Sequence, residues 1–165
     1  MAKCNLEITH WLMKTEPSVF SFEDLIKAPK RTTSWEGIRN YQARNFLRDA
    51  FKKGHRVLVY HSNTDEPAVV GVAEVAIEGY PDNFALDPTS DYFDAAAKKK
   101  GASPWVMVDI RATHRLQTPV TRERLKQEKS LQKMMVLQKG SRLSVQPVTE
   151  VEFDRILVLG GAMPI

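Results

Sequence analysis

Only one cysteine, Cys4, stands in the 165-residue chain, so no internal disulfide and no Cys-x-x-Cys metal or redox pair can form. That usage sets the expectation of an intracellular protein, cytoplasmic if the source is microbial. Long apolar runs are missing too. No stretch reaches the roughly 20 residues that a bilayer crossing needs, and none near the start has the form of a secretory leader. His10, His55, His61 and His114 are scattered without a His-x-x-x-His pair, which leaves no metal-ligand spacing. Repeats, low-complexity tracts and linkers are absent. Residues 1–165 therefore read as one domain, and 42% hydrophobic content suffices for a core.

Catalytic and phosphate-loop signatures are equally scarce. Lys139-Gly140-Ser141 ends like a P-loop, but Val136, Leu137 and Gln138 precede it where that motif is opened by a glycine. His61 and Ser62 are adjacent on a predicted strand and point to opposite faces, so adjacency alone makes no dyad. No paired acids mark a general acid and base, so no catalytic residue is assigned and no cofactor or metal is expected. The excess of one charge is small. Twenty-four basic residues against twenty acidic ones give +4 and a pI near 9.2, which favours anionic partners, with nucleic acid among them.

What is present concentrates between Ser34 and Asn45. Trp35-Glu36-Gly37-Ile38-Arg39-Asn40 sets an aromatic plate, a glycine, a cation and an amide within six residues, a set able to stack, read and tether a nucleotide. The same residues also fit a core Trp35 and an Asn40 that caps the following helix. From Asn40 to Lys53, Ala43, Phe46, Leu47, Ala50 and Phe51 recur at threes and fours and predict one helix ended by Gly54. Arg44, Arg48 and Lys52 form a basic row on it, fit for phosphate or for plain solvation.

Strands are expected at His10–Lys14, stopped by Pro17, at Val57–His61, at Val69–Glu78 and at Trp105–Leu116. Val69, Gly71, Ala73, Val75 and Ile77 should share the inner face of the third, and Val106, Val108, Ile110 and Ala112 that of the fourth. One wet face and short links imply antiparallel pairing in a small barrel. Residues 81–103 form a long connection with the run Lys98-Lys99-Lys100. Helix starts are marked by Ser21, by Thr121 for a helix through Glu128, and by Thr149 with Glu152, where Val148 can staple Phe153.

Taken in order, Trp11-Leu12-Met13-Lys14-Thr15-Glu16-Pro17, Gly37-Ile38-Arg39-Asn40-Tyr41-Gln42-Ala43-Arg44-Asn45, Tyr60-His61-Ser62-Asn63 and Gly140-Ser141-Arg142-Leu143-Ser144 resemble the EVE domain of the PUA-like superfamily. The resemblance covers nearly the whole chain. It implies an α+β fold, a curved, mostly antiparallel β-barrel decorated by helices, with a concave pocket that holds a modified base of DNA or RNA without turning it over. By position, Trp35 would be a stacking wall and Asn40 a reader of the base edge. Lys14, Thr15 and Glu16 would form a polar wall, with Gly37 and Ile38 beside them, and Tyr60, His61, Ser62, Ser141 and Arg142 would line the mouth or floor. Arg39, Arg44 and Arg48 would attract phosphate. Thr15 stands where the family often has Ser, which keeps the hydroxyl, and Ile38 where it often has Val. A monomer is expected, with no membrane partner. Two other classes stay open: an RNA-binding module indifferent to modification, and an enzyme on a modified nucleoside using Glu16 or His61.

Overall fold

The computed structural model describes residues 7–165, so Cys4 lies outside the described residues. Its frame is a seven-stranded sheet built from β1 (His10–Thr15), β2 (Thr32–Ser34), β3 (Arg56–His61), β4 (Ala68–Pro81), β5 (Val106–Thr121), β6 (Val145–Val148) and β7 (Ala162–Pro164). The strands bond in the order β2-β5-β4-β3-β1-β6, with β7 added to β5. Among the described residues β1 and β3 make the one parallel pair. The α+β, mostly antiparallel fold matches the expectation. β2 and β6 end the ladder without pairing with each other, so the curved sheet is an open barrel. β2 and β7, three residues each, carry no alternation long enough to be read from sequence.

Alternation along β1 and β3 splits the core in two. Trp11, Met13, Val57 and Val59 face a layer completed by Phe22, Leu47, Phe51, Ala73, Val75, Val108 and Ile110. Leu12, Leu58 and Tyr60 face the other, with Val69, Val72, Val120, Leu125, Leu131, Phe153 and Ile156. In β4 the expected single inner face is broken by bulges and irregular pairings, where extra residues in one strand change the facing of those that follow. The register against β5 shifts between Val69 and Gly71 and again between Val75 and Ile77. Val69 therefore joins the second layer while Ala73 and Val75 join the first, and Ile77 turns outward at 51% exposure.

The helices are short and well capped. Ser21 and Asp24 exchange both bonds of a capping box at α1 (Phe22–Lys27), and Thr149 and Glu152 do so at α5 (Glu150–Gly160). Phe22 presses on the sheet at Gly71, where an added Cβ would stand 2.2 Å from its ring. The helix expected through Lys53 is instead α2 (Tyr41–Asn45) followed by one π-helical stretch, Phe46–Ala50, closed by Phe51 N–H on the Phe46 carbonyl at 3.0 Å. That wider turn lets Phe51 lie 4.4 Å from the Trp11 ring while Phe46 lies 5.3 Å from it. The connection over 81–103 is structured by a 3₁₀ turn, Asn83–Leu86, and by α3 (Ala95–Lys100), whose last turn carries the lysine run and ends on Gly101. α4 (Arg122–Lys126) is capped by Thr121 and stops before Glu128. Among the described residues no helix is long and apolar enough to cross a membrane.

Two imidazoles work inside this frame as neutral acceptors. His55 Nδ1 accepts from Trp11 Nε1–H and from Lys52 N–H, both at 3.2 Å, and His61 Nε2 accepts from Phe22 N–H at 3.1 Å. Burial holds both rings below the ordinary histidine value. The unfolded chain then binds more protons than the folded one as pH drops through about 6.5, so this stabilisation is complete above that value and is lost below it. Thermal melts taken from about pH 7.5 down to about pH 5.5, above the carboxylate range, should show a falling Tm. A flat profile would show that neither ring is held neutral.

Candidate functional site

A cleft of about 410 Å³ opens where the ladder fails to close. Its walls come from the end of β1 (Lys14, Thr15, Glu16), the following turn (Val19, Phe20), the edge strand β2 and its continuation (Thr33 to Ile38), Tyr92 and Ser144. Each wall has a local cause. Thr15 Oγ1 donates to the Phe20 carbonyl at 2.6 Å, while Val19 N–H and Phe20 N–H both donate to the Glu16 carbonyl, so the proline-stopped strand curls into a tight turn. Trp35 N–H continues the β2 ladder onto the Val108 carbonyl at 2.7 Å. Its ring packs edge-on to Phe20 at 6.2 Å and keeps 8% exposure, so Trp35 is at once a core residue and a cleft wall. Glu36 accepts from Ser34 Oγ at 2.7 Å.

The opposite wall depends on Asp82, which is wholly buried. Its Oδ2 accepts from Gly37 N–H at 2.9 Å and from Arg39 Nη1 at 2.8 Å, and its Oδ1 accepts from Phe84 N–H at 3.1 Å. Arg39 then donates from Nη2 to the Tyr92 carbonyl at 2.7 Å and lies over the Tyr92 and Trp105 rings. This brings Tyr92 onto Gly37, whose φ of 87° and lack of a Cβ are both required, since a Cβ there would stand 2.4 Å from the ring. Burial first and the nearby Glu36 charge second raise the Tyr92 hydroxyl pKa, so it stays protonated as a donor.

Of the residues expected in the pocket, the cleft gathers Lys14, Thr15, Glu16, Trp35, Gly37 and Ile38. The others serve elsewhere. Asn40 Oδ1 accepts from Ala43 N–H at 3.0 Å and caps α2. His61 holds the first turn of α1, Ser62 N–H donates to the Thr15 carbonyl at 3.0 Å, and Tyr60 belongs to the second core layer. Ser141 accepts from Gln146 Nε2 at 3.4 Å, and Arg142 is exposed. The three arginines linked with phosphate all have protein partners: Arg39 on Asp82 and Tyr92, Arg48 in an ion pair with Asp49 at 2.8 Å, and Arg44 on the Pro104 carbonyl and over Tyr41. Lys14 and Glu16 form no ion pair among the described residues. Tyr92, Phe20 and Asp82 were not expected as parts of the site. Tyr92 and Asp82 lie 55 and 45 residues beyond Gly37 in the chain, and no local periodicity links them to it.

Among the described residues no group of three or more His, Cys, Asp or Glu is placed to hold a metal ion. The cleft is instead a mixed surface, aromatic on Phe20, Trp35 and Tyr92 and polar on Thr15, Glu16, Ser34, Glu36 and Ser144. It suits a flat heterocycle with donors on its edge. Asp82→Ala should cost about 3 kcal/mol, at the lower end for a broken buried pair because Arg39 can reach water. Urea unfolding measures the loss, and a cost under about 1 kcal/mol, the level of a surface pair, would remove Asp82 as the anchor of this wall.

Comparison with known proteins places the chain. The EVE domain matches residues 9–159. Human thymocyte nuclear protein 1 is 39% identical over 172 residues, spanning 94% of this chain and 76% of that protein. A hypothetical protein of Leishmania major is 48% identical with a TM-score of 0.86, over 93% of this chain and 95% of that one. The structure of human THYN1 in complex with 5-methylcytosine-containing DNA aligns at 39% identity and a TM-score of 0.83, over 94% of this chain and 99% of that one. The match runs from β1 into α5 and takes in every wall of the cleft, so the chain belongs to the EVE domain family.

Proposed function

We propose that this protein is a non-catalytic nucleic-acid-binding module that receives a base, 5-methylcytosine in DNA foremost, in the cleft between Thr15-Glu16, Trp35 and Tyr92. The observation that carries this reading is the human THYN1 complex with 5-methylcytosine-containing DNA, whose chain shares this fold over nearly its full length. The cleft's chemistry agrees with it. Aromatic contact with an unstacked base is worth ~1 to 3 kcal/mol, enough to offset much of the few kcal/mol needed to take that base out of a duplex. The hydroxyls and carboxylates of Thr15, Glu16, Ser34 and Glu36 offer acceptors to a base edge.

A methyl in an apolar niche discriminates by about 1 to 3 kcal/mol, so preference for the methylated base should be on the order of tenfold to a hundredfold. Short DNA and RNA, single- and double-stranded, with cytosine, 5-methylcytosine or N6-methyladenine, would be titrated with wild type and with Trp35→Phe and Trp35→Ala proteins shown to be folded. Methylated cytosine should bind best to wild type, Trp35→Phe should keep part of that preference and Trp35→Ala should lose it. Equal binding of modified and plain strands by wild type, or a preference untouched in folded Trp35→Ala, would reject the base cleft.

A further inference from the structure

At the strand end where the cleft opens, the side of the sheet that carries the second core layer holds a group of donors with no acceptor among the described residues. The register pairs Lys14 with Tyr60 across β1 and β3, and Tyr60 with Val69 and then Val120 across β4 and β5. Leu12, Tyr60, Val69 and Val120 all belong to the second core layer, so alternation sends the Lys14 side chain to that face, while Thr15, one residue on, points its hydroxyl into the turn that shapes the cleft. Arg122 follows Val120 by two residues, and its N–H is fixed on the Pro67 carbonyl at 2.8 Å. Three side chains thus converge at one end of the sheet: an ammonium, a guanidinium and a phenol.

Neither cation has a carboxylate partner among the described residues, although the neighbouring sheet arginines do, Arg111 on Glu74 and Arg115 on Glu23. The Tyr60 hydroxyl makes no hydrogen bond among the described residues. Since no buried side-chain polar atom there lacks a partner, this hydroxyl reaches the surface although the residue as a whole is 3% exposed. Arg122 acts on both neighbours, lowering the Lys14 pKa after burial has done so and opposing the rise that burial gives Tyr60. Two half-buried like charges beside an unused hydroxyl present donors that an anion can satisfy together.

We propose that Lys14, Tyr60 and Arg122 form a phosphate site that holds the backbone of the nucleic acid whose base enters the cleft, a proposal that rests on the cleft's function as a base receptor. Lys14 also lines the cleft beside Thr15 and Glu16, so the group stands at the rim of the cleft, next to where a base would enter. Arg122 supplies a planar fork to two phosphate oxygens, Lys14 a point charge and Tyr60 a neutral donor. The arginines of α2 and the π-helical stretch are secondary, since their partners already satisfy them.

The test is the salt dependence of oligonucleotide binding by wild type, Arg122→Gln, Tyr60→Phe and, as a control, Arg48→Gln, with melting curves confirming each fold. For duplex DNA, Arg122→Gln should flatten the slope of log K against log salt by about 0.9, the value of one lost phosphate contact. Tyr60→Phe should weaken binding with the slope unchanged, and Arg48→Gln should match wild type. The ratio of methylated to plain affinity should be the same in all four. A slope unchanged in Arg122→Gln beside an intact methyl preference overturns the phosphate site and leaves the base cleft standing. A flattened slope with no methyl preference in wild type leaves the phosphate site and rejects the base cleft. No binding by wild type rejects both.

Discussion

One buried carboxylate holds the functional half of this molecule together. Asp82 has three donors aimed at it, and they come from two segments that no strand pairing joins: Gly37 N–H and the Arg39 guanidinium on one side, Phe84 N–H on the other. A buried charge is tolerated only when it is met in this way, and the requirement acts in both directions. The carboxylate fixes the Gly37–Arg39 turn, and the turn's donors make the buried carboxylate possible. From Arg39 the order spreads to the Tyr92 carbonyl and to the Trp105 ring, whose Nε1–H is held by Asp94 at 2.8 Å. The long connection between β4 and β5 is therefore docked along its length, and Tyr92 reaches the cleft on a rigid path.

The cleft exists because the sheet stays open. A barrel closed between β2 and β6 would fill its interior with side chains, as small barrels do. Here β2 is three residues long, and the chain leaves it through Trp35 and the glycine turn. β1 ends at Thr15 in a proline turn, and β6 begins only at Val145, with Ser144 bonding back to Lys14 N–H at 2.8 Å. Three strand ends thus expose their last polar residues around one gap. The bulges of β4 add the twist that lets a single sheet bend around two apolar layers without closing.

The sequence carried local rules well and distant ones poorly. Ser21, Thr121 and Thr149 lie at helix starts because a capping hydroxyl acts within three residues, and the spacing to Asp24, Arg124 and Glu152 is visible in the chain. Inward positions of β5 at Val108, Ile110 and Ala112 were equally legible. Ile77 was not, because a bulge is a property of a strand pair and leaves no mark on the alternation of either member. Asn40 offered a cap and a base reader at once, and its bond to Ala43 N–H shows the cap. Tyr60 and Thr15 were expected in one pocket. They lie on neighbouring strands one residue out of step, and a period of two sends their side chains to opposite faces. The family motifs mark these strand ends but do not say which face each side chain takes.

That division of faces has a consequence for recognition. The cleft sets one cation, Lys14, against the carboxylates of Glu16 and Glu36, so it gains little from the phosphate charge that dominates nucleic-acid affinity. Affinity and selectivity must then come from different surfaces. Contacts to the backbone set position and register, while contacts to the base carry the sequence or modification signal. On the proposed function, the acids of the cleft would face the base edge while Lys14 and Arg122 offer their charge to the backbone at the same strand end, so phosphate is kept out of the cleft and its acceptors are left to base donors. The arginine–carboxylate pairs along β5 sharpen the arrangement. Glu74 and Glu23 neutralise Arg111 and Arg115 on the same sheet, which leaves these two arginines less available to an anion.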